Sequence, residues 1–339
     1  EGGGNIGFGH LTRCMSIYQA FQEMGLDAEL VVNGTGFIEK LLEGTNHRIT
    51  NWLQTVKLRP IIEDTDITVV DSYLAEPEIY ELISNECLGV YMDDENRISY
   101  PPGLVVNAAV NAEKLQYPEK EGLKYLLGSR YLSLRREFWN SEPVKIRRKL
   151  QSIMITFGGD DLRNLTPMIL ETLEYQFSEL KKNVVIGRGF KNIEEIEKLK
   201  SGHVNLVYYP DAGEMIETMH QSDLAVSAGG QTLYELARIG LPTLSVVVAS
   251  NQVPNVENWE KAGFSKYLGL WADDKLPEKL IKELEGLKGY KIRNQMSEAG
   301  KRAVDVDGAL RIVKKSIKEY CLKNGLNSPK AELKDMKND

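Results

Sequence analysis

The chain has 339 residues, 42% of them hydrophobic, and a formal net charge of −7. That length exceeds one ordinary domain, and the apolar content is ample for two packed cores. Lysine and arginine are scattered, which argues against a nucleic-acid partner. No apolar run approaches the ~18 residues of a membrane span. The three cysteines (Cys14, Cys87, Cys321) fit neither a zinc spacing nor a disulfide framework, so a reducing cytoplasm is expected.

The chain opens inside a glycine-rich stretch, Glu1 to His10, followed by apolar residues at helical spacing: Leu11, Met15, Ile17, Phe21 and Met24. A loop therefore leads into a helix over 11–25, with Gly9 and His10 at its N-terminus. Such a loop ordinarily follows a strand, so a strand ahead of Glu1 is expected to be missing from this numbering. A helix N-terminus disfavours a protonated imidazole, which suits His10 to act as a general base. Simple capping by His10 is the plain alternative.

Further along, Leu30–Asn33 reads as a strand, 36–43 as a short helix, 66–72 as a buried strand and 76–85 as a helix. Leu88–Met92 and Leu104–Asn107 are strands, and 125–134 closes the first half. A charged stretch with Pro143, between Arg135 and Leu150, marks a domain boundary. The second half restarts with a strand at 152–157, then a helix over 165–180. Strands follow at 184–186, 204–209, 224–227 and 244–248, and short helices at 215–221 and 231–239. A helical tail over 293–324 precedes a polar end. The domains are expected at 1–140 and 141–315, with 316–339 as helix end and tail. Strands alternating with helices mean parallel sheets wrapped by helices, with ligands at the carboxyl ends of strands.

The loops at those ends carry the candidate chemistry. Ser227, Ala228, Gly229 and Gly230 lead from a strand into a helix containing Thr232, an arrangement suited to a diphosphate. Glu235, one turn on, has two acceptor oxygens for a ribose diol. Gly158 and Gly159 form a second lip. Asn251 and Gln252 are uncharged amides that can orient sugar hydroxyl or acetamido groups, or simply form a turn. Asp93-Asp94-Glu95 reads as a solvated strand end rather than a metal site, and no metal or cofactor is assigned. Tyr73 either donates a hydrogen bond in the cleft or packs at the surface.

Taken together and in order, Ile6-Gly-Phe-Gly-His10-Leu-Thr-Arg13-Cys14, Asp71-Ser-Tyr73, Asp93-Asp94, Gly158-Gly159-Asp160, Ser227 to Glu235 and Ser250-Asn251-Gln252 resemble the UDP-2,4-diacetamido-2,4,6-trideoxy-β-L-altropyranose hydrolases of pseudaminic acid biosynthesis. Asp307 to Ile312 resembles that family's C-terminal region, and the resemblance runs from residue 1 to about 315. Several motifs are shared with a wider group that includes the N-acetylglucosaminyltransferase of lipid II synthesis. The resemblance implies a GT-B fold: two Rossmann-like domains facing across a cleft. It implies UDP in the second domain, with Ser227 to Thr232 on the diphosphate and Glu235 on the ribose. His10 would be the catalytic histidine, Tyr73 and Asn251 would meet the sugar, and Gly9 and Arg13 join the substrate-binding set. The implied reaction is water attack at the anomeric carbon with inversion and no metal.

A UDP-sugar glycosyltransferase of the same fold and a non-enzymatic sugar-nucleotide-binding subunit remain as alternatives. For an NAD-dependent oxidoreductase, the spacing of Gly4, Gly7 and Gly9 is not that of Gly-x-Gly-x-x-Gly. A UDP-sugar is the expected partner, with no oligomeric partner assigned.

Overall fold

The computed structural model describes residues 1–2, 9–34, 38–94, 96–110 and 112–326. Most of the glycine-rich loop (3–8), Gly36, Glu95 and the polar tail beyond 326 lie outside these residues.

Among the described residues the strands are β1 (Leu30–Val32), β2 (His47–Ile49), β3 (Ile67–Val70), β4 (Leu88–Met92), β5 (Gly103–Asn107), β6 (Leu123–Leu127), β7 (Ser152–Thr156), β8 (Lys181–Ile186), β9 (Val204–Tyr208), β10 (Leu224–Ala228), β11 (Thr243–Val247) and β12 (Ser265–Leu270). They form a β1–β2 pair, a sheet ordered β3-β4-β5-β6, and a sheet ordered β12-β11-β10-β7-β8-β9. Every pairing is parallel. Central strands such as Ile153-Met154-Ile155 and Leu224-Ala225-Val226 are buried on both faces, which is why they read as continuous apolar runs rather than alternating ones. Gly2 makes a parallel bridge with Gly34, so the residues entering the glycine loop lie beside the end of β1.

The second sheet grows outward from β7 in one direction (β8, β9) and from β10 in the other (β11, β12). Between β7 and β10 the strand order reverses. In such sheets the loops part there and leave a crevice outside the carboxyl ends. Ser227 lies opposite Thr156 in the register. The Gly158–Gly159 and Gly229–Gly230 loops therefore leave neighbouring strands and flank that crevice.

Several elements differ from the reading of the sequence. β8 begins at Lys181, ahead of the apolar run, because Lys182 is buried: its ammonium pairs with Glu174 at 2.7 Å and donates to the Phe177 carbonyl at 2.7 Å. The stretch 125–134 that closes the first half is the end of strand Leu123–Leu127 followed by a 3-10 turn at Ser129–Tyr131. The helix expected over 36–43 is described as Ile38–Leu41.

The helical tail is two helices, Tyr290–Ala303 and Gly308–Lys323, broken where the chain crosses to the first half. The second of them packs on the helix Gly9–Glu23 and on β3 and β4. There Lys124 pairs with Glu319 at 2.6 Å and Lys323 donates to the Cys87 carbonyl at 3.1 Å. Glycine is required at the crossing, since a Cβ on Gly308 would sit 2.1 Å from the Leu132 carbonyl oxygen. Among the described residues no helix is long and apolar enough to cross a membrane.

Candidate active site

The helix Gly9–Glu23 carries His10 and Arg13 three residues apart, hence on one face. That face meets the carboxyl ends of β3 and β4, where Asp71 and Asp94 follow the strands. His10 is buried, and its Nδ1 lies 2.6 Å from Asp71 Oδ1. Arg13 donates to Asp71 through Nε and Nη2, both at 2.6 Å, and to Asp94 through Nη1 at 2.6 Å and Nη2 at 3.3 Å. One guanidinium thus bridges two carboxylates from adjacent strands.

Burial alone would raise the pKa of Asp71, but the charge of Arg13 outweighs it and holds the carboxyl well below its ordinary range. Asp94 is lowered too, again with burial opposing and Arg13 prevailing. An ionised carboxylate only accepts hydrogen bonds, so Nδ1 of His10 carries the hydrogen toward Asp71. In the neutral ring, Nε2 then holds the lone pair.

Tyr73 stands edge-on to the imidazole, with centroids 4.6 Å apart and planes at 89°. Its hydroxyl donates to Asp94 Oδ2 at 2.5 Å. Burial and the Asp94 charge both push the phenol's pKa upward, so the hydroxyl keeps its proton. The side-chain amide of Asn251, from the other half of the chain, donates to the Tyr73 oxygen at 3.4 Å. The turn bearing Tyr73 is held from behind by Glu1, whose Oε1 accepts from Ser72 Oγ at 2.7 Å and from the Tyr73 amide at 3.0 Å.

Asp93 has a different role from Asp94. It is buried and accepts from Tyr100 at 3.0 Å, Tyr117 at 2.5 Å and the amides of Asn96 and Arg97 at 2.7 and 3.2 Å. These bonds fix the bend after β4 rather than a solvated strand end.

Across the cleft, the helix Gln231–Ile239 follows β10 and touches the helix that bears His10. Its N-cap is Gly230, and no side chain caps it. The Leu233 amide turns back to the Gly230 carbonyl at 3.1 Å, which leaves the amides of Gln231 and Thr232 to face an anion. Gly229 is locked in place: its N–H bonds the Val246 carbonyl at 3.1 Å, and an added Cβ would lie 2.3 Å from Val256 Cγ2. Gly158, beyond β7, has φ +78°, a conformation that favours glycine. The neighbouring Gly159 carbonyl accepts from the Gly189 amide at 2.8 Å.

The structure thus brings His10, Arg13, Tyr73 and Asn251 into one cluster. Gly158, Gly159, Gly229, Gly230 and Thr232 gather around the crevice beside it, and Gly9 opens the histidine helix. Four residues sit differently from their expected use. Arg13 is occupied by two carboxylates. Ser227 is buried in β10 and its hydroxyl donates to the Ala228 carbonyl at 3.1 Å. Gln252 accepts from the Val248 amide at 3.1 Å, closing its own turn. Glu235 is buried with Oε1 bonded to Arg135 Nε at 2.8 Å. Asp71 and Asp94 were quoted in motifs but given no role in the site. Their signal in the sequence is a carboxylate one or two residues past the end of each of two strands, with an arginine three residues past the histidine.

Residues 152–312 match the glycosyltransferase family 28 C-terminal domain. The chain is 25% identical over 270 residues to an uncharacterized protein of Methanocaldococcus jannaschii, covering 75% of this chain and 55% of that one. It is 27% identical over 272 residues to the pseudaminic acid cytidylyltransferase and UDP-2,4-diacetamido-2,4,6-trideoxy-beta-L-altropyranose hydrolase of Helicobacter pylori, covering 78% and 46%. It thus spans about half the length of these two relatives. It is also 21% identical over 272 residues to the hydrolase of that name from Campylobacter jejuni, covering 76% and 93%. Among solved structures, MurG of Acinetobacter baumannii superimposes with a TM-score of 0.67 at 14% identity, over 93% of this chain and 97% of that one. The UDP complex of S. aureus MnaA gives 0.64 at 16% identity, over 94% and 95%. The chain has the GT-B fold and resembles the UDP-diacetamido-trideoxy-altropyranose hydrolases.

Proposed function

We propose that the protein hydrolyses a UDP-linked 2,4-diacetamido-2,4,6-trideoxyhexose at the anomeric carbon, releasing UDP and the free sugar for nonulosonic acid synthesis. The observation that carries this reading is His10 held at 2.6 Å by Asp71, packed against Tyr73, with Asn251 reaching Tyr73 from the other half. The names of the H. pylori and C. jejuni relatives point to the same chemistry.

The diphosphate sits at the uncapped N-terminus of the helix Gln231–Ile239, between the Gly158–Gly159 and Gly229–Gly230 loops. Backbone amides there offset the charge that builds on UDP as the C–O bond breaks. Glu235 offers its second carboxylate oxygen to the ribose. His10 orients a water on the opposite face of the sugar through Nε2 and accepts its proton as oxygen bonds to the anomeric carbon. Asp71 keeps the ring in the tautomer this requires and faces the charge that develops on it. The configuration at that carbon inverts.

A transferase that passes the same sugar to an acceptor hydroxyl is the second reading, favoured by the family 28 match. The test is to incubate the protein with UDP-diacetamido-trideoxyhexoses and with UDP-N-acetylglucosamine, and to follow UDP release with water as the sole acceptor. Turnover of a diacetamido sugar without added acceptor supports hydrolysis. Release that appears only when an acceptor alcohol is supplied means transfer.

A further inference from the structure

The groups that grip the imidazole of His10 share one anchor that touches neither the ring nor, in the reading above, the sugar. Asp71 holds Nδ1, and Tyr73 packs edge-on against the ring. Asp71 is itself held by two N–H groups of Arg13, and the same guanidinium is fixed at its far side by Asp94. Tyr73 is held by Asp94 as well, through its hydroxyl. Both grips therefore converge on one carboxylate at the end of β4.

We infer that Asp94 is a positioning residue for the reaction, fixing the orientation of His10 through Arg13–Asp71 and through Tyr73; this rests on the hydrolase reading. Three features carry it. Asp94 and Arg13 expose only 29% and 14% of their side chains, so this is not a solvated surface pair of negligible consequence. The two branches are geometrically independent, one through a guanidinium and one through a phenol. Finally, Asp94 sets the polarity of Tyr73. With its hydrogen committed to Asp94, the phenol oxygen is left to accept, and it meets the donor Nδ2 of Asn251 from across the cleft. The contact between the two halves is thereby tied to the anchor that steadies the base.

Asp94→Asn keeps the size of the side chain and an acceptor oxygen but removes its charge, and circular dichroism checks that the variant is folded. Three variants are compared with the wild type: Asp94→Asn, Tyr73→Phe and the double. Residues acting as one network are coupled, commonly by ~2- to 100-fold. Asp94→Asn should lower kcat by about tenfold or more with little change in KM, and Tyr73→Phe should add little on top of it. Independent, multiplicative losses, or a change confined to KM, would overturn the inference.

A second readout needs no turnover. The chain has four histidines, and His10→Asn identifies the relevant signal in the ¹⁵N imidazole spectrum of the free protein. The wild type should show one sharp signal with the hydrogen on Nδ1, and Asp94→Asn the same tautomer with a shifted or broadened signal as the ring loses its fixed place beside Tyr73. An unchanged spectrum would overturn the inference. A wild-type protein that hydrolyses no UDP-sugar would instead remove the functional reading, leaving the spectrum to decide the positioning claim.

Discussion

Replacing Asp71 with asparagine changes one atom of the site and inverts its logic. Asp71 Oδ2 accepts from Arg13 Nε, and Oδ1 accepts from both His10 Nδ1 and Arg13 Nη2. An asparagine keeps one acceptor. Arg13 can only donate, so it claims the amide oxygen, and the NH2 group is turned toward His10. Facing a donor, Nδ1 becomes the acceptor, and the ring hydrogen moves to Nε2. That is the nitrogen proposed to take the proton from water. The base is then present, buried and in place, but in the wrong tautomer. A general base is typically worth ~10²–10⁴-fold, and inverting the tautomer of a carboxylate-held histidine removes most of that. Because Asp71 acts through His10, its loss should not exceed that of His10→Asn. The assay is UDP release at saturating UDP-diacetamido sugar, with UDP binding measured by calorimetry as a control. The expected result is a fall in kcat of ~10²-fold or more with UDP affinity unchanged. A kcat within about threefold of the wild type would refute the tautomer argument.

His10→Asn should lose at least ~10²-fold in turnover while UDP still binds, measured with the same pair of assays. Gly229→Ala places a Cβ 2.3 Å from the Val256 side chain, whereas at Gly230 the nearest atom is 3.7 Å away. The first variant should lose about 1–3 kcal/mol of stability and the second stay within about 0.5, as read by urea unfolding. The depressed carboxyl of Asp71 sets a pH dependence. Its stabilising contribution is fully present above the unfolded-chain value of about 4 and is lost as pH falls further toward its lowered folded value. The urea midpoint should therefore fall below about pH 4 in the wild type, and Asp71→Asn should show a shallower decline.

Much of the fold could be read because parallel strands buried on both faces are continuous apolar runs, as in Ile153 to Ile155 and Leu224 to Val226. The elements that escaped notice lack that signature. β12 (Ser265–Leu270) is an edge strand of mixed polarity, and the buried Lys182 disguises the start of β8 as a polar turn. The break at 304–307 is set by where the last helix must land on the first half, which no local pattern reveals.

In the site, the residues at strand ends were legible, but their partners were not. Arg13 looks like a substrate-binding residue until two carboxylates from adjacent strands are seen around it. Glu235 looks free until Arg135, 100 positions earlier, is found on it. Glycine spacing also decides less than it first suggests. Gly2, Gly4 and Gly7 do stand at Gly-x-Gly-x-x-Gly spacing, although positions 3–8 lie outside the described residues. What distinguishes the stretch is the histidine at its end, paired with a buried carboxylate.

The most direct test of the account is the fate of solvent oxygen. The protein is incubated with a UDP-diacetamido-trideoxyhexose in ¹⁸O-water, and both products are weighed by mass spectrometry while NMR follows the anomeric proton. The account predicts label in the sugar, none in UDP, and a first-formed anomer inverted from the substrate. Label in the phosphate of UDP would mean that water attacks phosphorus, and would contradict it.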